Sequence, residues 1–294
     1  MAMARFSAYL WLMLILGVSC GGDDSPAQPS TQTESSVLPT PEPTSLPVVQ
    51  PSPTPDSPDA NIWHPPVETT WQWQLIGQPM DTTFDVDMYD IDLFDNEAEV
   101  VAALQGQGRK VICYVNAGGW EDWRPDADLF PQNVIGKNLD DWDGERWLDI
   151  RRLDALGPIL EARFDDCQQK GFDGIEPDNV DGFLNDTGFP LTYDDQLKFN
   201  IWLADQAHQR GLSIGLKNDM DQIADLLSHF DWALNEECFQ FDECETLLPF
   251  IEAGKPVFNV EYALEISEFC DRARAMRFMS LKKNLDVDAA REAC

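Results

Sequence analysis

Gly171-Phe172-Asp173-Gly174-Ile175-Glu176-Pro177-Asp178-Asn179-Val180-Asp181-Gly182-Phe183 is the stretch on which the reading of this 294-residue chain turns. Phe172 and Ile175 read as a short apolar strand. Pro177 stops it, because proline cannot donate to a sheet ladder and sits at strand ends or edges. Four acids, Asp173, Glu176, Asp178 and Asp181, gather around that strand end. Massed carboxylates suggest a mouth and not a core. They repel one another, so at least one should have a raised pKa and act as an acid near neutral pH. The same spacing would suit a calcium loop or a solvated turn; the flanking pattern separates these readings.

On both sides strands alternate with helical segments, the rhythm of a parallel α/β fold. Trp71 to Leu75 reads as a short strand at an entrance, and Val86 to Phe94 as the first barrel strand. Lys110 to Val115 is a continuous apolar run suited to a strand buried on both faces. Arg146 to Ile150 is a short third strand, and a helix over Asp154 to Lys170 leads into the stretch above. Tyr193 to Arg210 is helical, with Thr192 as N-cap and Gly211 as terminator. Strands follow at Leu212–Leu216, Phe230–Leu234, Pro256–Val260 and Phe278–Leu281, with helices over Asp221–His229, Glu245–Ala253, Ser267–Arg277 and Asp286–Cys294. Eight strands with helices between them predict a (β/α)8 TIM barrel over residues 62–294.

Polar groups fall at the C-terminal ends of these strands: Asp90 and Asp92, Tyr114 and Asn116, Asp149 and Arg151, Glu176 and Asp178, Lys217 and Asn218, Glu236, and Glu261 with Tyr262. Active sites of such barrels are built from those ends and the loops after them. A doubly wound sheet would normally show fewer repeats and one switch point.

The N-terminus reads as an export signal over residues 1–19, with Arg5 before an apolar run, Leu10 to Val18, too short to span a bilayer. Leu16-Gly17-Val18-Ser19-Cys20 resembles the cleavage box of bacterial lipoproteins, which implies a lipid anchor on Cys20. Gly17 is off that pattern, leaving simple secretion as the alternative to a cell-envelope lipoprotein. Residues 20–60 are rich in Pro, Ser and Thr and lack core material, so they read as a disordered tether. Six further cysteines, Cys113, Cys167, Cys238, Cys244, Cys270 and Cys294, suit disulfides in an exported chain. Cys238 and Cys244 would close a small loop, Cys270 with Cys294 would pin the C-terminus, and Cys113 would remain for Cys167. There is no Cys-x-x-Cys pair and the three histidines are scattered, so no metal is expected.

A formal net charge of −33 argues against nucleic acid and anionic polymers, and would attract a polycation. Solubility alone could also account for it. No phosphate loop or Gly-x-Gly-x-x-Gly appears, no cofactor is expected, and neither is a Ser-His-Asp hydrolase signature seen. A monomer is expected.

An acid-lined bowl with many tryptophans suits a sugar chain, and glycoside hydrolysis needs two carboxyls across the scissile bond. Asp178, as nucleophile or base, and Glu236, as general acid/base, are the candidates on nearby walls. Glu176 and Glu237 are the fallbacks, and an ion pair with Lys217 or Arg151 is the structural alternative for each.

The sequence is similar to glycoside hydrolase family 114, the endo-α-1,4-polygalactosaminidases, in six ordered motifs. These are Gly-Arg-Lys-Val-Ile-Cys-Tyr-Val-Asn-Ala-Gly from Gly108, Gly-Glu-Arg-Trp-Leu-Asp-Ile-Arg from Gly144, the stretch from Gly171, Gly-Leu-Lys-Asn-Asp from Gly215, Asn-Glu-Glu-Cys-Phe from Asn235 and Asn-Val-Glu-Tyr from Asn259. The resemblance spans roughly residues 70–294. It implies a (β/α)8 barrel, a galactosamine-containing polysaccharide as substrate, and a catalytic Asp and Glu at Asp178 and Glu236. Glu237 stands where the family pattern has Gln, a second acid beside the first. Deacetylated galactosamine is an ammonium ion, so the charge acquires a purpose: Asp90, Asp92, Asp181 and Glu261 are candidates for gripping amines. Tyr114, Asn116, Trp120 and Arg124 are further contacts, and Glu176, Lys217, Asn218 and Tyr262 complete the lining. Asp140 and Asp143 read as solvated loop charge. Two other functions fit the same bowl: a non-catalytic glycan-binding surface lipoprotein, or a hydrolase of another linkage.

Overall fold

The short apolar runs of the sequence become strands because each is buried on both faces, and the amphipathic segments between them cover the outside. The computed structural model describes residues 62–139 and 142–294. The expected signal segment, the Cys20 anchor, the tether to residue 60 and Asp140 lie outside the described residues.

The order is β1 (Trp71–Gln74), β2 (Met88–Asp92), α1 (Ala98–Gln105) and β3 (Lys110–Asn116), then a three-strand excursion of β4 (Gly119–Glu121), β5 (Ile135–Asn138) and β6 (Glu145–Leu148). Next come α2 (Leu153–Lys170), β7 (Gly174–Asp178), α3 (Tyr193–Gln209), β8 (Ser213–Lys217), α4 (Ile223–Leu226), β9 (Trp232–Glu236), α5 (Leu248–Glu252), β10 (Val257–Glu261), α6 (Ile266–Met276), β11 (Met279–Lys283) and β12 (Arg291–Ala293). Strands β1, β2, β3, β7, β8, β9, β10 and β11 are neighbours in that order and all parallel. β12 adds antiparallel to β11. The indole N–H of Trp71 donates to the Met279 carbonyl, and the Leu75 amide to that of Val287, so the sheet is nearly closed into a (β/α)8 barrel.

Three expectations about the elements are corrected. Trp71–Gln74 is a barrel strand: its glutamines are buried because Gln72 donates to Ala289 and Gln74 to Ile76 and Gly77 carbonyls. Polar alternation there marked satisfied amides, not a wet face. Arg146–Ile150 is not a barrel strand; β3 pairs directly with β7, while Glu145–Leu148 pairs antiparallel with β4 and β5. Asp286–Cys294 is not a helix. Tertiary pairing to β11 and the Cys270–Cys294 bridge override its alanine-rich propensity.

Other expectations hold. Thr192 caps α3 in a reciprocal box with Asp195. Disulfides join Cys113 to Cys167, Cys238 to Cys244 and Cys270 to Cys294. One more expectation is corrected: Pro177 does not stop the strand but lies inside β7, opposite Val115, while the β7–β8 ladder ends at Ile175, which leaves the missing N–H unneeded there.

Inside the barrel, Trp71, Trp73, Met88, Ile112, Trp232, Leu234, Phe258, Val260 and Leu281 form an apolar cluster. Gly215 makes room for it, since a Cβ there would lie 2.2 Å from the Trp232 ring. Carbon fills this part of the barrel, and polar side chains fill the layer at the strands' C-terminal ends.

Candidate active site

Register sets up the polar layer. β3 and β7 pair so that Tyr114 lies opposite Glu176 and Asn116 opposite Asp178. β8 then delivers Lys217, only 2% exposed. Its Nζ donates to Glu176 Oε1 at 2.8 Å and to Asp178 Oδ1 at 3.0 Å, and lies 3.4 Å from Glu236 Oε2. It also stands 4.7 Å from the centre of the Trp73 ring. An ammonium has three donors, and here they face three carboxylates. Burial pulls the Lys217 pKa down, but Asp178, Glu176 and Glu236 outweigh it and hold it well above the usual lysine value.

Asp178 sits at the meeting point. Tyr114 donates to its Oδ2 at 2.8 Å, and the Asn179 amide to its Oδ1 at 2.9 Å. Burial alone would raise its pKa; the charge and hydrogen bond of Lys217, with the Tyr114 bond, leave it lowered. Asp178 is therefore an ionised carboxylate, and partly exposed.

Glu236 receives the Tyr262 hydroxyl on Oε1 and Asn218 Nδ2 on Oε2 at 3.2 Å. Its own amide donates to Asn218 Oδ1 at 2.9 Å, so one side chain sets both backbone and carboxylate. Burial and Glu236 push the Tyr262 hydroxyl far up, which keeps it a donor.

Beneath them Glu176 is fully buried and accepts the Trp73 indole N–H at 2.9 Å as well as Lys217. Asp90 lies beside it with no donor to either oxygen among the described residues. Burial and repulsion from Glu176 raise Asp90 well above the carboxylate range. It is a neutral acid, with its O–H available to Glu176.

Chain reversals at the strand ends carry the strain. Asn179 after β7, Asn218 after β8 and Glu237 after β9 have φ of 60°, 50° and 63°. Left-handed backbone at non-glycine residues is uncommon and concentrates at functional sites.

Around this centre Asn116 donates to Glu145 Oε2 at 3.1 Å and accepts from Asn179 Nδ2 at 2.9 Å. Glu145 is pushed up to about 7 by burial, Glu121 and Asp178. Asp181 is raised to about 6 by burial and Asp178.

Other expected residues are placed differently. Asp92 is clamped by Arg124 through Nη1 at 2.9 Å and Nη2 at 2.6 Å and also accepts the Phe94 and Asp95 amides. Glu261 is buried under the Phe239 and Gln240 amides and Asn259. Both carboxylates are held within the walls of the bowl. Asp149 and Arg151, paired side by side, follow β6 and not a barrel strand. Trp120 donates to the Ala127 carbonyl.

Sequence reasoning missed Trp73, Glu121, Glu145 and Asp219. Asp219 is buried with φ 39°, takes an Asn200 hydrogen bond at 2.7 Å, and is raised to about 8 by burial and Asp181. Glu145 stood inside the quoted motif from Gly144, and that was the available signal.

No curated protein matches the sequence. Among solved structures, Aspergillus fumigatus Ega3, in complex with galactosamine, is 42% identical, with 79% of this chain and 97% of that chain covered and a TM-score of 0.76. The glycoside hydrolase domain of PelA from Pseudomonas aeruginosa is 14% identical, with 76% and 98% covered and a TM-score of 0.61, a likeness of fold alone. The family described as "Glycoside-hydrolase family GH114" matches residues 52–294, all of the chain beyond the expected tether and the tether's last residues. The chain belongs to glycoside hydrolase family 114, and it is a glycosidase.

Proposed function

We propose that the protein is an endo-acting hydrolase of α-1,4-linked galactosamine polymers, with Asp178 as nucleophile and Glu236 as general acid/base. The observation that carries this is the single ammonium of Lys217 shared between the two carboxylates. Oxygens held 3.0 and 3.4 Å from one nitrogen lie at most about 6.4 Å apart. Both carboxylates therefore border one site, as a pair acting on one glycosidic bond must, and the pathway proposed is double displacement with retention.

In the first step Asp178 attacks the anomeric carbon. Glu236, protonated, gives its proton to the departing oxygen, and a glycosyl ester forms on Asp178. In the second step Glu236 takes a proton from water, which attacks the same carbon and frees Asp178. Lys217 and Tyr114 keep Asp178 ionised before attack and stabilise it as leaving group. Tyr262 and Asn218 orient Glu236. Asp90, Asp92, Glu176 and Glu261 hold the walls, while Asp181 faces the mouth as an amine contact.

The substrate class rests on the relative crystallised with galactosamine, together with the acidic bowl. Three disulfides support export, since cytosolic chains seldom carry them. A lipid anchor on Cys20 with a monomeric barrel completes this reading, and globomycin-sensitive processing of the precursor tests the anchor.

The test is fragment-size analysis of α-1,4-galactosamine oligomers by wild type, Asp178→Asn and Glu236→Gln, with the anomer read by NMR. Wild type should cleave internally with retention, and both folded variants should fall about 10³-fold or more. A folded wild type that cleaves neither free nor acetylated oligomers would leave binding as its role. An inverted product would remove Asp178 as nucleophile.

A further inference from the structure

The mechanism above makes no use of the excursion β4–β6, yet part of it reaches the catalytic carboxylates. Glycine permits the approach. A Cβ on Gly118 would lie 1.8 Å from the Asn179 carbonyl oxygen, and one on Gly119 would lie 2.5 Å from Asn116 Oδ1. The excursion therefore packs directly on the strand ends of β3 and β7. It brings Glu145, whose Oε2 accepts Asn116 Nδ2 at 3.1 Å; Asn116 in turn sits opposite Asp178. Glu145 stands one side chain from the nucleophile.

Its partners are unusual. The neighbouring Glu121 has Arg124 at 2.7 Å, whereas Glu145 has no ion pair among the described residues, and its Oε1 accepts no hydrogen bond from them. Glu145 is thus a half-buried carboxylate beside the catalytic strand ends, with one oxygen that no side chain of the described residues engages. Beside it, Gly144 packs on Trp123, with a Cβ position 2.9 Å from Trp123 Cζ3. Trp123 is 54% exposed and carries Arg124 over its ring at 6.0 Å.

We propose that Glu145, with Trp123 as the stacking plate for the sugar ring, forms a subsite outside the barrel strands that reads a free amine on the glycan and discriminates against its N-acetylated form. An ammonium gives Glu145 a charge-assisted hydrogen bond. An acetamide supplies a neutral N–H, and its bulk leaves the carboxylate desolvated without a counterion. This rests on the glycosidase reading above and deepens it.

The groups facing Glu145 are Glu121 on β4, Arg124 after it, Tyr114 on β3 and Asp178 on β7. Burial with Glu121 and Asp178 holds Glu145 near 7 without ligand, so an arriving ammonium displaces its proton. For free-amine substrate, kcat/KM should then climb as pH rises through about 7, and Glu145→Gln should abolish that limb.

The experiment compares kcat/KM, and Kd by calorimetry, for matched free-amine and N-acetylated α-1,4 oligomers. Wild type, Glu145→Gln, Glu145→Asp and Trp123→Ala are used, each checked for wild-type melting. Glu145→Gln should lower the free-amine value about tenfold or more and leave the acetylated value within about twofold, which collapses the selectivity. Glu145→Asp, which keeps the charge, should retain part of it, and Trp123→Ala should weaken both substrates alike. Unchanged selectivity in Glu145→Gln, or equal losses on both substrates, overturns the assignment. If wild type cleaves neither oligomer, the hydrolase reading fails separately, and the same selectivity read in Kd still decides the subsite.

Discussion

Replacing Lys217 by methionine keeps the length of the side chain and removes the one charge that three carboxylates share. Glu176, 2.8 Å from its Nζ, would be left buried without a counterion, and the partly exposed Asp178 at 3.0 Å and Glu236 at 3.4 Å would lose their nearest cation. Removing one partner of a buried pair costs about 3–5 kcal/mol. The cost should depend on pH with a definite sign. In wild type the lowered Asp178 contributes stability above its unfolded pKa, about 4, and that contribution is lost as pH falls through the folded value. In Lys217→Met, burial and mutual repulsion would raise Asp178 above its unfolded value and push Glu176, already raised by burial in wild type, further up. Their folded forms are then favoured below about pH 4 and penalised as pH rises. The deficit in urea unfolding should therefore be largest at pH 7 and shrink by more than half at pH 4. In activity, kcat/KM at neutral pH should fall about 10²-fold, from lost orientation of the nucleophile. The acidic limb of the profile should move up by at least about one pH unit, each unit being about 1.4 kcal/mol. Adding Glu176→Gln should recover stability but not rate. A pH-independent stability deficit, or an acidic limb that stays in place, would refute the claim that Lys217 sets the ionisation of Asp178.

Three further outcomes follow from the geometry. Breaking Cys113–Cys167, which spans 54 residues, should cost about 4 kcal/mol in urea unfolding, against about 2 kcal/mol for Cys238–Cys244, which spans 6. Gly215→Ala forces a methyl group to within 2.2 Å of the Trp232 ring and should destabilise by about 1–3 kcal/mol or more, read as a lowered Tm. With a net charge of −33, KM for a cationic polymer should rise several-fold between about 0.01 and 0.5 M salt while kcat holds, as screening shortens from about 30 Å to a few Å.

The barrel was legible because most of its strands are continuous apolar runs ended by polar residues. Its misreadings have separate causes, the first being that burial can be hidden behind polar side chains. Gln72 and Gln74 look solvated until main-chain carbonyls from 76, 77 and 289 are seen to satisfy them. Arg146 and Trp147 look like strand, and are, but in an antiparallel unit set on the mouth. The C-terminal alanines look helical until Cys294 is tied to α6. At the site, strand-end position brought Glu176, Asp178, Lys217, Asn218, Glu236 and Tyr262 together as expected. Glu145 and Trp73 could not be reached that way, since one arrives on the excursion and the other on a strand taken for an entrance.

What no spacing reveals is which acids are charged, and that follows from the balance of burial against nearby cations. Lys217 serves Glu176, Asp178 and Glu236, and Arg124 serves Asp92 and Glu121. Asp90, Glu145 and Asp181 have no ion pair among the described residues, and all three are raised by burial and by neighbouring carboxylates. Among the cation-paired acids Asp178 is lowered, while burial raises Glu176 and Glu121 despite their partners, so one carboxylate stands out as nucleophile. Asp90 is sealed below and stays neutral, but Glu145 and Asp181 lie close enough to the opening to respond to what enters. A cationic sugar would favour their ionised forms and complete the neutralisation that Lys217 begins, whereas a neutral sugar would leave both raised. The same charge balance that tells Asp178 apart from its neighbours can therefore tell an amine apart from an amide.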